Sequence, residues 1–140
     1  MKCYVAGFYF DTAKKSVALV HKNRPDWQAG QVNAIGGKIE AGEHPTDAMT
    51  REFLEETGVT VTDWEHVVVI YGSDWKVYFL RAFGNPNECK SMEDEKIAVY
   101  STADALKLPN LISNLYWILP LALDSEIKVP LRVPYKTAVL

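Results

Sequence analysis

The sequence predicts a single α+β domain, a sandwich of a β-sheet and helices, and three observations support this fold class. The chain has 140 residues, the length of one domain with a sizeable core. Hydrophobic residues make up 48% of it and charged residues 24%, a composition typical of globular proteins. Strand-like and helix-like segments are mixed along the chain, and most connections resemble hairpins. We therefore treat residues 1–140 as one domain.

Runs rich in β-branched and aromatic residues predict the strands of the sheet. Residues 4–10 and 17–20 are separated by a turn around Lys14 and Lys15, which indicates an antiparallel pair. Further strands are predicted at residues 67–71, 75–83 and 97–100.

A long loop and three helical segments complete the predicted architecture. Residues 21–35 are rich in polar residues, with a proline and a glycine, and are typical of a functional loop. A helix is predicted over residues 46–57, because Pro45 stands near its first position and Gly58 at its end. Two shorter helices are expected at residues 102–106 and 113–123.

Charge and cysteine content limit the partners of the protein. Eighteen acidic and 15 basic residues give a net charge of −3, which argues against a nucleic-acid polymer or an anionic membrane, since both favour a basic surface. Cys3 and Cys89 are too few for a disulfide framework or a zinc site, so we expect a cytoplasmic protein with reduced thiols. The longest uncharged stretch, residues 108–123, is too short to span a bilayer. The sequence is compatible with a monomer or a homodimer.

The longest predicted helix carries the excess of acidic residues. Residues 37–59 hold two bases and six acids, a local charge of −4. Glu52, Glu55 and Glu56 stand at i, i+3 and i+4 and therefore share one helix face. Carboxylates at this density suit Mg²⁺ or Mn²⁺, which commonly bridges substrate phosphates. The pattern indicates metal-assisted hydrolysis at phosphorus; the alternative is a solvated acidic face.

A fixed spacing of residues makes this interpretation specific. The residues that match the motif G-x5-E-x7-R-E-U-x-E-E-x-G-U are Gly37, Glu43, Arg51-Glu52-Phe53, Glu55-Glu56 and Gly58-Val59. Seven fixed residues would match by chance on the order of 10⁻⁷ times per chain or less. The chain therefore resembles the Nudix hydrolase family, whose box this motif is. Phe53 stands where the family usually has an aliphatic residue.

The resemblance implies a mixed sheet flanked by helices, an α/β/α sandwich in which the box forms a loop-helix-loop. By similarity, Glu52 and Glu56 would be the main ligands of Mg²⁺ or Mn²⁺, Glu55 would assist, and the carbonyl of Gly36 would add an oxygen ligand. A carboxylate near the attacking water would accept its proton. The resemblance leaves Glu52, Glu55 and Glu95 as candidates for this general base.

Other roles carried over from the family concern residues around these carboxylates. Arg51, counted among the catalytic residues, would pair with Glu43 and organise the helix. Lys38 would contact phosphate. A further metal-binding or catalytic glutamate would come from a later loop, with Glu95 as the first choice and Glu93 as the second; the alternative is a solvated acidic loop.

Residues outside the box are expected to select the nucleotide. Residues 30–38 resemble the same segment of MutT-type enzymes that hydrolyse oxidised purine nucleoside triphosphates, where the asparagine at the position of Asn33 hydrogen-bonds the base. Val32 replaces a tryptophan that often precedes this asparagine. Trp27, in the predicted loop, would stack on a base or pack against the protein.

The start of the last predicted helix offers a second set of base contacts. Residues 113–117 resemble the segment that supplies polar base contacts in related oxidised-purine triphosphatases, with Ser113 and Asn114 in place of two aspartates. Asn114 and Trp117 are the candidates for substrate binding. The alternatives are that Ser113 or Asn114 caps the helix and that Trp117 packs in the core.

Together these resemblances imply Mg²⁺-dependent hydrolysis of a nucleoside diphosphate-linked substrate. The favoured substrate is a nucleoside triphosphate, including oxidised purines, with a nucleoside monophosphate and pyrophosphate as products. The alternatives are ADP-ribose, nucleotide sugars and dinucleoside polyphosphates; Tyr78 is a weak hint towards the last. A non-catalytic nucleotide-sensing module is the alternative from another class, although such modules usually lose box carboxylates.

Overall fold

The fold is an eight-stranded mixed sheet with helices on both sides, seen in a computed structural model that describes residues 1–136. The sheet order is β3-β2-β1-β6-β5-β8, with β4 paired to β1 and β7 paired to β2. The strands are β1 (Lys2–Asp11), β2 (Ser16–His21), β3 (Val32–Asn33), β4 (Ile35–Lys38), β5 (Glu65–Tyr71), β6 (Trp75–Gly84), β7 (Lys96–Ser101) and β8 (Leu131–Pro134). The helices are α1 (Pro45–Thr57), α2 (Thr102–Ala105) and α3 (Leu115–Leu123), with a short 3-10 helix at Pro86–Glu88.

The central strand β1 is buried on both faces because alternate side chains point to opposite sides of a sheet. Phe8 and Phe10 belong to the hydrophobic cluster that includes α3. Val5 and Tyr9 belong to the second cluster, which includes α1. The predicted α+β sandwich with helices on both sides of the sheet is therefore confirmed.

The predicted elements are all present, but three strands and one pairing were not expected. β3 was missed because Val32 and Asn33 lie within the predicted loop of residues 21–35 and form a strand of only 2 residues. β4 was missed because its Gly36 and Gly37 have low strand propensity. β8 was missed because it is a short edge strand that ends on a proline. We expected mostly hairpin-like connections, which give antiparallel pairs. Instead, β1 and β6 pair in parallel along their full lengths, from Lys2↔Trp75 to Asp11↔Gly84. This pairing forms the centre of the sheet. Within residues 1–136, no helix is long and apolar enough to cross a membrane.

Candidate active site

Helix α1 presents its acidic face beside the sheet because its opposite face is anchored in the core. Met49 and Phe53 are fully buried, and the Phe53 ring packs edge-on against Tyr9 and Trp64. The helix ends at Gly58, whose φ of +75° is the left-handed conformation that glycine adopts most easily. Local sequence therefore determines both the ends of the helix and its rotation about its axis.

Arg51 connects the acidic helix to the loop that precedes it. Its Nε and Nη2 donate to the two carboxylate oxygens of Glu43 at 2.8 and 2.9 Å, and Nη2 also donates to the Lys38 carbonyl at 3.0 Å. Its Nη1 donates to Glu52 Oε1 at 2.8 Å. The hydrogen bonds from Arg51 lower the pKa of Glu43 to about 2. Arg51 thus fixes the loop and one oxygen of Glu52 at the same time.

The glycine pair of β4 allows the sheet and α1 to approach closely. A Cβ atom on Gly37 would lie 2.4 Å from Cδ of Glu52, and one on Gly36 would lie 1.9 Å from the Val5 carbonyl oxygen. Any larger residue at position 37 would push the Glu52 carboxylate away. Burial, partly opposed by Arg51, raises the pKa of Glu52.

Glu56 has the surroundings expected of a cation ligand. Its Oε2 is buried and has no hydrogen-bond partner. Burial raises the pKa of Glu56 from 4.5 to about 8; the positive charge of Lys22 opposes this shift, and the carboxylates around it, including Glu52 and Glu95, increase it. A divalent cation at this carboxylate would supply the missing interaction and favour its ionised form.

The remaining predicted metal-site glutamates differ in solvent exposure and in their ion-pair partners. The Glu55 side chain is 50% exposed, 3.6 Å from Arg51. Glu95 is buried, and its Oε1 accepts from Lys22 Nζ at 2.8 Å. Glu93 is exposed. Within residues 1–136, no group of three or more His, Cys, Asp or Glu side chains forms a ready metal site.

The donors around Glu52 and Glu56 nevertheless fit a hard divalent cation. The unpartnered Oε2 of Glu56 is the kind of oxygen that such a cation binds, and Glu52 is held next to the glycine pair, whose backbone could offer a carbonyl oxygen. Two carboxylates and a carbonyl leave room for waters and phosphate oxygens, which Mg²⁺ usually retains.

A cleft of about 920 Å³ lies beside this acidic face. All five substrate-binding candidates line it, together with Gly36 and Gly37; the five are Trp27, Asn33, Lys38, Asn114 and Trp117. The cleft therefore brings together residues from the long loop, the box and the last helix. Its volume is within the range of small-molecule sites.

Both tryptophans of the cleft present part of their rings to solvent. Trp27 is 45% exposed and Trp117 is 39% exposed, so neither is a core residue. This exposure contradicts the alternative in which Trp117 packs in the core. A flat ligand could stack on either indole.

The two candidate asparagines differ in the hydrogen bonds that their side chains make. Asn33 Nδ2 donates to Gln28 Oε1 at 3.0 Å, and its Oδ1 accepts from the Ala34 N–H at 2.7 Å. Asn114 occupies the N-cap position of α3, but its side chain makes no capping hydrogen bond, and its Oδ1 is buried without a partner. The capping alternative therefore does not hold, and Asn114 offers a buried, unpartnered acceptor oxygen to a ligand.

Sequence reasoning did not identify Lys22 or Tyr135 as part of the site. Lys22 lines the cleft as well as pairing with Glu95. Tyr135 lines it too, with its ring edge-on to Trp75 at 5.6 Å. Burial raises the pKa of Tyr135, an effect opposed by the side chains of Asn114 and Trp117 at its hydroxyl. Tyr135 reaches the cleft through β8, which the sequence did not predict.

Comparison with known proteins identifies the family. The NUDIX domain profile matches residues 2–119. The chain belongs to the Nudix family. Among solved structures, the Nudix fold of this chain resembles MutT from work on Aliivibrio salmonicida and Vibrio cholerae, with 25% identity, a TM-score of 0.72, and 86% of this chain and 96% of that chain covered. A MutT protein from Bacillus halodurans gives 27% identity, a TM-score of 0.73, and coverage of 90% and 84%.

A third structure shares the fold alone. It is a MutT/nudix family protein from Enterococcus faecalis, with 18% identity, a TM-score of 0.63, and 71% of this chain and 43% of that chain covered. Together, the family match and the MutT-like structure confirm the predicted family and make this chain a Nudix pyrophosphohydrolase. Nudix hydrolases act on small nucleotide substrates and generally use divalent metal ions.

Proposed function

We propose that this Nudix hydrolase cleaves nucleoside triphosphates, including oxidised purine nucleotides, to a nucleoside monophosphate and pyrophosphate with Mg²⁺ or Mn²⁺. The observation that carries the proposal is the cleft that joins exposed aromatic rings and the unpartnered Asn114 Oδ1 to the glycine pair and Lys38. A nucleoside triphosphate needs both kinds of surface, one for its base and one for its phosphates.

The base would be held by stacking and by one buried acceptor. Stacking on an exposed aromatic ring contributes about 1–3 kcal/mol per base, and Trp27 and Trp117 are both available for it. An unpartnered buried acceptor such as Asn114 Oδ1 costs about 1–3 kcal/mol until an N–H donor reaches it. Purine edges carry such donors, and an 8-oxopurine adds one at N7. The amide of Asn114 therefore supports a purine nucleotide as substrate.

The phosphates would be held beside the acidic face of α1. Glu52 and Glu56 would hold the divalent cation with the Gly36 carbonyl, Glu55 would assist from the exposed side, and Lys38 would contact a phosphate oxygen. When bound, Mg²⁺ neutralises phosphate charge and lowers the pKa of a coordinated water.

The proton of the attacking water would pass to a nearby carboxylate. Arg51 holds one oxygen of Glu52, so the other oxygen would accept this proton only where it does not bind the cation. Glu55 is a second candidate because its side chain is half exposed. Glu95 is the third, although its oxygens already accept hydrogen bonds from other groups.

A substrate panel tests the proposal directly. Purified protein with Mg²⁺ is incubated with canonical and 8-oxo purine triphosphates, ADP-ribose, a nucleotide sugar, NADH and dinucleoside polyphosphates, and the products are identified by mass. We expect pyrophosphate and the monophosphate from triphosphates. Cleavage confined to the other substrates would refute the proposed substrate, and nucleotide binding without any cleavage would indicate a sensing module.

Two variants complete the test of the metal site. Glu56→Gln should remove nearly all activity, since it takes a charge from the proposed cation ligands. Glu126→Gln, an exposed acid outside the cleft and α1, is the matched control and should retain activity. Equal activity of the two variants would contradict the assignment.

We propose the cytoplasm as the cellular compartment. Cys3 and Cys89 are both free thiols, which suits a reducing environment. Fractionation of cells that express the protein, followed by immunoblotting, checks this expectation. Gel filtration with light scattering decides between a monomer and a homodimer.

A further inference from the structure

Glu95 stands opposite Lys22 because of the register of two antiparallel strands. β2 and β7 pair from Ser16↔Ser101 to His21↔Lys96. The next residues beyond that last pair are Lys22 and Glu95, which are therefore cross-strand neighbours. Lys22 Nζ donates to Glu95 Oε1 at 2.8 Å, and their side chains are only 17% and 7% exposed.

The second oxygen of Glu95 holds the backbone at the start of a loop. Glu95 Oε2 accepts from the N–H of Asn23 at 2.6 Å and from the N–H of Arg24 at 3.3 Å. Hydrogen bonds to a charged group are stronger than those between neutral groups. With three donors on its two oxygens, Glu95 fixes the direction in which the chain leaves β2.

The segment that begins there, residues 22–31, is the part of the long loop that forms one wall of the cleft. Its ends are joined by hydrogen bonds from the Lys22 N–H to the Gln31 carbonyl at 2.8 Å and from the Gly30 N–H to the Lys22 carbonyl at 2.9 Å. Besides Lys22, the members of this segment that line the cleft are Arg24, Pro25, Trp27 and Gln28. Its position therefore decides where the exposed indole of Trp27 lies relative to a bound base.

We propose that Glu95 is a positioning residue, which holds segment 22–31 against the cleft through Lys22 and the backbone of Asn23 and Arg24. In this role Glu95 acts on nucleotide binding through the loop. A residue that acted as a metal ligand or general base would instead need an oxygen free for the cation or the water. The kinetic consequence rests on the proposed function, whereas the structural consequence does not.

Amide hydrogen exchange in the nucleotide-free full-length protein tests the structural consequence. Glu95→Ala should speed exchange at the amides of Asn23 and Arg24 by about tenfold or more, because both lose a charged acceptor. Glu95→Gln should give a smaller increase, since an amide oxygen can still accept. Asp94→Asn is the matched control, because Asp94 is 80% exposed and pairs with the Arg24 side chain, at 3.5 Å, instead of the backbone. Unchanged exchange in both Glu95 variants would overturn the proposal.

Steady-state kinetics with a nucleoside triphosphate tests the functional consequence. Glu95→Ala should raise KM by about tenfold, with a much smaller change in kcat and an unchanged Mg²⁺ half-saturation, and Glu95→Gln should recover most of the KM. A loss of kcat in Glu95→Gln as large as in Glu95→Ala, with KM unchanged, would overturn the proposal in favour of a role in the chemistry.

The exchange measurement also tests the positioning role when the kinetic test cannot, in two cases. If no triphosphate is cleaved by the unmodified protein, the proposed function fails while faster exchange still supports the positioning role. If Glu95→Ala does not fold, the exchange rates of Glu95→Gln against Asp94→Asn decide the question.

Discussion

Replacing Glu56 with glutamine should stabilise the metal-free protein, and the gain should grow with pH. Burial raises the pKa of Glu56 from 4.5 to about 8 in the folded state. Between these two values the folded state keeps a proton that the unfolded state releases, so stability falls as the pH rises. Glutamine is neutral at every pH and removes this dependence.

The size of the effect follows from the shift. Each pKa unit corresponds to about 1.4 kcal/mol. Relative to acid pH, the raised pKa of Glu56 therefore lowers the free energy of unfolding by about 3 kcal/mol at pH 7, where only the unfolded state is largely ionised, and by about 5 kcal/mol once the pH exceeds 8 and both states are ionised. Near pH 4 the carboxyl is largely protonated in both states, and the two proteins should differ little.

Urea unfolding in EDTA, followed by tryptophan fluorescence at pH 4.5, 7 and 8.5, measures these differences. The matched control is Glu55→Gln, the same substitution on the same helix face at a side chain that is 50% exposed. This control should change stability little, because the side chain is half exposed. A difference between Glu56→Gln and the unmodified protein that does not vary with pH would refute the reasoning.

Magnesium provides a second arm of the same experiment. A ligand that binds only the folded state raises stability by mass action. At pH 8, Mg²⁺ should therefore stabilise the unmodified protein and have a much smaller effect on Glu56→Gln. Equal stabilisation of both would place the cation away from Glu56.

Three other substitutions test separate parts of the site. Gly37→Ala should lower kcat by about 100-fold, because the new Cβ would lie 2.4 Å from Glu52 Cδ; an unchanged kcat would show that this carboxylate can move freely. Arg51→Lys should reduce the free energy of unfolding in urea by about 1–3 kcal/mol, since lysine cannot reproduce the two hydrogen bonds to Glu43, and unchanged stability would contradict this. Trp117→Ala should raise KM for purine triphosphates about tenfold with kcat nearly constant, and an unchanged KM would remove Trp117 from base binding.

The parts of the site that depend on local sequence could be predicted. Helical periodicity is enough to place Glu52, Glu55 and Glu56 on one face, and the apolar residues Met49 and Phe53 on another. The ends of this helix also follow from a proline and a glycine. These features need no knowledge of distant residues.

The parts that depend on strand pairing could not be predicted. Gly37 suggests a turn by propensity, but it lies in a strand because β4 pairs with β1, opposite Val5. Lys22 and Glu95 meet through the register of β2 and β7, and Tyr135 reaches the cleft through the parallel pairing of β8 with β5. Register follows from packing across the whole sheet, which a single sequence specifies only weakly.

Buried polar side-chain atoms without hydrogen-bond partners are concentrated around the cleft and the acidic face of α1 within the described residues. Within residues 1–136 there are three such side-chain atoms, Glu56 Oε2, Trp75 Nε1 and Asn114 Oδ1. Trp75 and Asn114 line the cleft, and Glu56 shares the acidic face with Glu52, which packs on Gly37 in the cleft wall. Each unsatisfied atom costs about 1–3 kcal/mol, so a sequence optimised for stability alone would not gather them in one place. A cation at Glu56 and an N–H donor at Asn114 would each recover part of this cost. Because the two ligands relieve different residues, their stabilising effects should be largely independent.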